Sequence, residues 1–239
     1  PDTQIVLFAD TFNRYFEPEN LDAALHVLQA TGLRVTEATP KGARPLCSGR
    51  TYLAAGMIDE ARAEMRRTMQ AFQALPPDVP IVGLEPSCIL TFRDEAPRLL
   101  PDWDESLTPR IRMFEEYVAD QTLRLNPIGQ RALLHGHCHQ KAENVMGPVE
   151  ACLKKIPGLN VETIDSSCCG MAGAFGYQSE TIDVSLAMAE ISLLPTVRKA
   201  APDDLIVADG TSCRHQIADG AGREALHGAR VLEMALAPS

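Results

Sequence analysis

Six short apolar runs punctuate the chain: IVLFA (5–9), RVTEA (34–38), IVGLE (81–85), ALLHG (132–136), NVETI (160–164) and LIVAD (205–209). Their length and their content of β-branched residues predict strands. Between them the polar and apolar positions change to a helical period. NLDAALHVLQATG (20–32) sets Leu21, Ala24, Leu25 and Leu28 on one face and stops at Gly32, a normal helix end. IDEARAEMRRTMQAFQAL (58–75) is a second amphipathic helix. Each half of the chain thus runs strand, helix, strand, helix, strand. That order requires parallel strands covered by helices, an α/β fold.

The two halves are related to each other. IVGLEPSC (81–88) aligns without a gap on IVADGTSC (206–213), which places Cys88 on Cys213. Upstream, PLCSGR (45–50) matches SSCCGM (166–171), with Cys47 on Cys168, Ser48 on Cys169 and Gly49 on Gly170. IVLFADTF (5–12) matches ALLHGHCH (132–139) and sets Thr11 opposite Cys138. Three anchors in the same order predict two pseudo-symmetric halves, each a small parallel sheet flanked by helices. Residues 1–100 form a first cysteine-rich repeat, degenerate at Thr11 and Ser48. Residues 131–239 form the second. The stretch 101–130, which begins within APRLLPDWDESLTPR (96–110), reads as a link between the halves.

Composition narrows the picture. The chain has 239 residues, 45% hydrophobic and 23% charged, as in ordinary folded domains and unlike disordered or fibrous chains. Its net charge is −10 and its basic residues are scattered, so it has no positive stripe for phosphates and nucleic acid is excluded as a partner. No run reaches the 18 or so apolar residues of a membrane helix, and PDTQIVLFAD lacks the order of a signal peptide. A cytoplasmic location follows by default, with any attachment to the inner membrane made through partners. The chain opens on Pro1 directly before a strand-like run, which suggests a piece of something longer. Seven cysteines, an odd number in a chain able to build its own core, speak for metal or redox chemistry over a disulfide scaffold.

In the second half each cysteine position falls just past a predicted strand: Cys138 after ALLHGH, Cys168 and Cys169 after VETIDS, Cys213 after LIVADGTS. Strand carboxyl ends of an open parallel sheet face one crevice, so four thiols distant in sequence converge there. Four thiolates suit either one [4Fe–4S] cluster or a Cys₄ zinc site. Zinc usually has paired CxxC knuckles. The adjacent pair Cys168–Cys169 directs its sulfurs poorly at one tetrahedral ion and better at different irons of a cluster. In CCGMAGAFG (168–176), Gly170 and Gly173 allow backbone amides to approach the cofactor and tune its potential.

Other residues carry weaker signals. Along HGHCHQK (135–141), strand periodicity puts His135, His137 and His139 on one face and Cys138 on the other; His139, and His215 two residues past Cys213, are second-tier ligands, as are Cys47 and Cys88. Lys141, Arg214 and Arg93 read as ordinary solvated cations. Cys152, on the apolar stretch VEACLKKI (149–156), reads as a small core residue. No GxGxxG follows a predicted strand, so a flavin belongs on another domain or subunit. No nucleophile or general base stands out, and the chain is not catalytic alone. Two other classes compete: a redox-inert zinc-binding interaction module, and thiol–disulfide catalysis by Cys168 and Cys169, which lacks the C-x-x-C spacing.

SCCG (167–170), HCHQK (137–141), EPSC (85–88) and TSCRHQ (211–216) resemble the CCG-type cysteine-rich domain of heterodisulfide reductase B-like subunits and glycolate oxidase iron–sulfur subunits. The resemblance covers nearly the whole chain. The nearest variant is similar to the C-terminal region of bacterial proteins that fuse an FAD-linked oxidase domain to iron–sulfur modules, such as D-lactate or D-2-hydroxyglutarate dehydrogenases. It implies electron transfer from FAD-dependent oxidation of a 2-hydroxy acid, with an FAD-linked oxidase and a further iron–sulfur domain as partners. Some family members bind a noncubane cluster through five cysteines. Gln216 stands where the fifth would be, and Thr11 and Ser48 replace cysteines in the first half, so one cluster is implied, with zinc as its substitute.

Overall fold

The computed structural model describes residues 4–40, 42 and 44–238; Pro1 and the chain start discussed above lie outside them. It divides into two compact units, Pro1–Thr122 and Leu123–Ser239.

In the first unit, strands β1 (Gln4–Phe8), β2 (Arg34–Glu37), β3 (Ile81–Gly83) and β4 (Ile111–Met113) form one sheet in the order β2-β1-β3-β4. All pairs are parallel, with Val6 opposite Thr36 on one side and Ile81 on the other. In the second unit β5 (Arg131–His135), β6 (Asn160–Thr163) and β7 (Leu205–Ala208) pair in parallel in the order β6-β5-β7, with Leu133 between Glu162 and Ile206. The six expected strands are therefore present, and the α/β architecture of two related halves is the observed one.

The burial of each strand explains its sequence. Ile5, Val6, Leu7 and Phe8 of β1 and Ala132, Leu133 and Leu134 of β5 are buried, because a central parallel strand is covered on both faces and reads as a continuous apolar run. The edge strands RVTE and NVET are largely accessible and carry polar residues. Phe8, Phe72 and Phe92 meet edge to face with centroids 5.3–5.7 Å apart, and Trp103 stacks on Phe92; such pairs add about 0.5–1.5 kcal/mol each beyond their buried area. The core of the second unit is aliphatic, built from Leu133, Ile164, Met171, Leu193, Val197, Ile206 and Ile217, and it includes Cys169 and Cys213.

Two sequence expectations differ from the structure. Residues 101–130, read as a link, contain β4 and the helix Phe114–Ala119, both inside the first unit. A three-residue strand is too short to show periodicity, and its pairing with β3 is a tertiary effect. The second difference lies at HGHCHQK. The strand ends at His135, and Cys138 opens the helix Cys138–Ala142, so His135, His137 and His139 do not share a strand face. His137 caps that helix: its backbone N–H donates to Gln140 Oε1 (2.9 Å), and its ring accepts from the N–H of His139 (3.2 Å). This reciprocal arrangement is a capping box made with His and Gln in the usual Ser/Thr and Glu roles.

Candidate metal centre

Three connections leave the carboxyl ends of β5, β6 and β7, and each delivers a cysteine. Cys138 is the first residue of its helix, three residues past the end of β5; Cys213 is the third residue of the helix Thr211–Ala221 after β7. Cys168 and Cys169 lie in the turn after β6. The turn reverses at Gly170, whose φ is +89°. A Cβ added there would lie 2.1 Å from the carbonyl oxygen of Ser185, so both the conformation and the packing demand glycine. Gly210 has the same steric role elsewhere, since a Cβ on it would meet Cδ2 of His137 at 2.4 Å.

The four sulfurs converge into one row. The free thiol of Cys138 lies within interaction range of Cys168, Cys168 of Cys169, and Cys169 of Cys213. Cys169 and Cys213 are buried, while Cys138 and Cys168 are half-buried. Protons are unevenly shared along the row. S–H groups from Cys138 and Cys169 hold the Cys168 thiol down to about 2, helped by the Gly170 N–H, which donates to Cys168 Sγ at 3.3 Å. Cys213 is held well below the ordinary thiol range by the Cys169 S–H and by the nearby His135 ring, against its own burial. Cys138 and Cys169 are pushed up, chiefly because their S–H groups serve those neighbours. The row therefore contains two sites of thiolate character, the form that binds metals.

The surrounding residues fix the row. Lys141 Nζ donates to the carbonyls of Ser166 and Ser167 (2.9 Å to the latter) and places a positive charge near Cys138. Gln216 Nε2 donates to the carbonyl of Cys169 (2.9 Å) and to Ser185 Oγ (3.1 Å), so the residue standing in place of a fifth cysteine braces the turn. Arg214 is buried and donates to the carbonyl of Ala208 (2.8 Å) and Thr211 Oγ1 (3.1 Å). Arg93, in the first unit, pairs with Glu116. Both cations are structural and partnered, unlike the solvated groups expected. Gly173 is exposed with φ +66°.

The histidine brought to the sulfurs is His135, which the sequence reading did not rank as a ligand. A ring nitrogen of His135 and the sulfurs of Cys169 and Cys213 all lie within 4.8 Å of one another. His139 stacks on His137 (5.1 Å between centroids, 10° between planes), and His215 bonds the hydroxyl of Tyr177 through Nδ1 at 2.8 Å. The signal for His135 was its place as the last residue of a buried strand, where a polar ring needs a partner.

The first unit repeats the arrangement with different residues. Thr11 opens the helix Thr11–Tyr15 as Cys138 opens its own, and Cys88 is third in the helix Pro86–Ile89 as Cys213 is in its helix. The Gly49 N–H donates to Cys47 Sγ at 3.4 Å, matching Gly170 and Cys168. Ser48 bonds the Cys88 thiol. Burial, then the carboxylates of Asp10 and Glu85, push Cys88 well up, while burial and Glu85 raise Asp10 to about 6. This site holds two thiols among carboxyls. Cys152 is fully buried on the helix Met146–Lys154 and is a core residue.

Among the described residues, no helix is long and apolar enough to cross a membrane. In sequence the chain is 26% identical over 241 residues to one of the subunits of the anaerobic glycerol-3-phosphate dehydrogenase of Escherichia coli K12, covering 98% of this chain and 59% of that protein. It is 29% identical over 218 residues to the D-2-hydroxyglutarate dehydrogenase of Pseudomonas putida, covering 89% of this chain and 20% of that one. With the lactate utilization protein A of Bacillus licheniformis it shares 24% identity over 249 residues, 96% of this chain and 98% of that one. The chain thus spans about three-fifths of the first of these relatives and a fifth of the second. A crystal structure of a hypothetical protein from Helicobacter pylori superposes with a TM-score of 0.52 at 12% identity, over the whole of this chain and 50% of that one, a likeness of fold. The model of the cysteine-rich domain named CCG matches residues 132–218, which contain all four thiols of the row and the turn that joins two of them. Over residues 132–218 this chain is similar to the CCG family of cysteine-rich domains.

Proposed function

We propose that this chain is the iron–sulfur electron-transfer part of a flavin-linked oxidoreductase, and that Cys138, Cys168, Cys169 and Cys213 hold one [4Fe–4S] cluster. The observation that carries this reading is the row of four sulfurs assembled from three strand ends. The donor set fits the group: four thiols, two of thiolate character, with a glycine amide already aimed at one sulfur. When bound, such a cluster supplies a carrier that takes up and releases single electrons.

The chain's own residues do the rest. The Gly170 amide stabilises negative charge on Cys168 and sets the potential. Lys141 holds the turn and offsets the charge of the thiolates. The aliphatic core around Cys169 and Cys213 keeps water from that side of the sulfurs. Oxidation of an alcohol carbon to a carbonyl releases two electrons and two protons, which an FAD on a separate domain or subunit would accept, and the cluster held by the four cysteines would carry the electrons onward one at a time. The names of two of the relatives speak for a 2-hydroxy acid as the substrate oxidised elsewhere, and that of the third for glycerol 3-phosphate, which like them carries a secondary alcohol. A second iron–sulfur domain completes the route, in the cytoplasm or at the inner membrane through these partners.

A second reading is favoured by one observation. The close grouping of His135, Cys169 and Cys213 would also suit a single zinc ion in a redox-inert module. Iron, sulfide and zinc analysis with EPR, on protein reconstituted without oxygen, separates the two. About four irons and four sulfides per chain, lost in Cys168→Ser and Cys213→Ser, are expected. One tightly held zinc and no cluster would replace the electron-transfer reading with the structural one.

A further inference from the structure

We infer that His135 is a nitrogen ligand of the metal centre, joining Cys169 and Cys213; the inference rests on the metal-binding reading above. His135 is completely buried at the end of β5. Its Nδ1 lies 2.8 Å from the Ser166 hydroxyl. That hydroxyl can donate to the carbonyl of Ile164 at 3.4 Å, which leaves its oxygen able to accept Nδ1–H in the tautomer suited to metal binding. In a neutral ring the proton on Nδ1 leaves a lone pair on Nε2. Nε2 is buried with no hydrogen-bond partner, an arrangement that is costly unless the atom is put to use.

Use is close at hand, because a ring nitrogen of His135 is within 4.8 Å of both buried sulfurs. A histidine whose one nitrogen is tied to a protein oxygen while the other faces thiolates is the usual posture of a metal-binding imidazole, the tied side fixing tautomer and orientation. The posture explains why Gln216 is tolerated. The position that would carry a fifth thiolate braces the Cys169 carbonyl instead, and His135 brings a nitrogen donor beside Cys169 and Cys213. The centre would thus be of mixed sulfur and nitrogen ligation, and where the imidazole takes the place of one of the four thiolates on an iron, a higher reduction potential than the all-thiolate equivalent is the rule.

Pulsed EPR on the anaerobically reconstituted, reduced chain tests this, comparing natural-abundance protein with protein carrying ¹⁵N-histidine. The expected result is a strong nitrogen coupling that changes isotope with the label and disappears in His135→Cys, a variant that keeps a donor at the position and so retains iron. Ser166→Ala should keep the coupling and weaken metal binding about 10–100-fold. A cluster with only the weak coupling of a hydrogen-bonded ring, or a strong coupling that survives in His135→Cys, overturns the inference and leaves the electron-transfer reading standing. If reconstitution yields zinc alone, the electron-transfer reading falls, and X-ray absorption at zinc decides the ligand: a nitrogen lost in His135→Cys upholds His135, and an all-sulfur shell refutes it. Failure to bind either metal overturns both.

Discussion

At the scale of single residues, the site depends on a few positions where backbone and side chain have no freedom. Gly170 is the sharpest. Its left-handed backbone aims its own N–H at Cys168, and the space beside its Cα is filled by the Ser185 carbonyl. Gly170→Ala should destabilise the chain by about 2–5 kcal/mol, from the strained φ and the overlap together. Urea denaturation measures the loss directly, and a shift below about 1 kcal/mol would mean that the turn relaxes without cost. The cysteine pair, the glycine after it and the residue replacing the fifth cysteine were all legible in the sequence. The partner of each was not. Nothing local to Gln216 announces that its amide reaches Cys169, 47 residues away.

At the scale of elements, the centre is held by the starts of helices that follow strands. The connection after β5 is tied to the one after β7 by Gln140, which accepts the His137 N–H and donates through Nε2 to Asp209 Oδ2 at 2.7 Å. All three residues are buried. Gln140→Leu keeps the volume but strands one donor and one acceptor, at an expected cost of about 2–4 kcal/mol. It should also reduce metal loading, because Cys138 and Cys213 lie on the two connections so joined. Thermal unfolding and iron content of the same preparation check both; stability and loading equal to the parent would show that water replaces the amide. The strands themselves were readable as apolar runs. The end of β5 was not, since HGHCHQK alternates like a strand, and only the bonds of His137 and Gln140 turn it into a helix start.

At the scale of the whole molecule, one plan is used twice with different chemistry. Thr11, Cys47, Ser48 and Cys88 occupy the places of Cys138, Cys168, Cys169 and Cys213, down to a glycine amide on the matching sulfur. The first unit thus lacks two thiols and has gained a buried carboxyl pair, Asp10 and Glu85. The double variant Thr11→Cys, Ser48→Cys restores four cysteines there, and its iron content on reconstitution should rise from about four to about eight per chain. A content that stays at about four would show that the carboxyls, and not only the missing thiols, close the first site.

The sequence by itself determined the succession of strands and helices along the chain, the duplication and the four candidate cysteines with the family they resemble, because parallel strands buried on both faces and glycines at forced turns write themselves as local pattern. The tertiary structure alone decided the fourth strand of the first sheet, the row in which the thiols share their protons and the approach of His135 to Cys169 and Cys213. Each of these rests on pairs brought together from separate strands, and a distance between such atoms leaves no period in the chain.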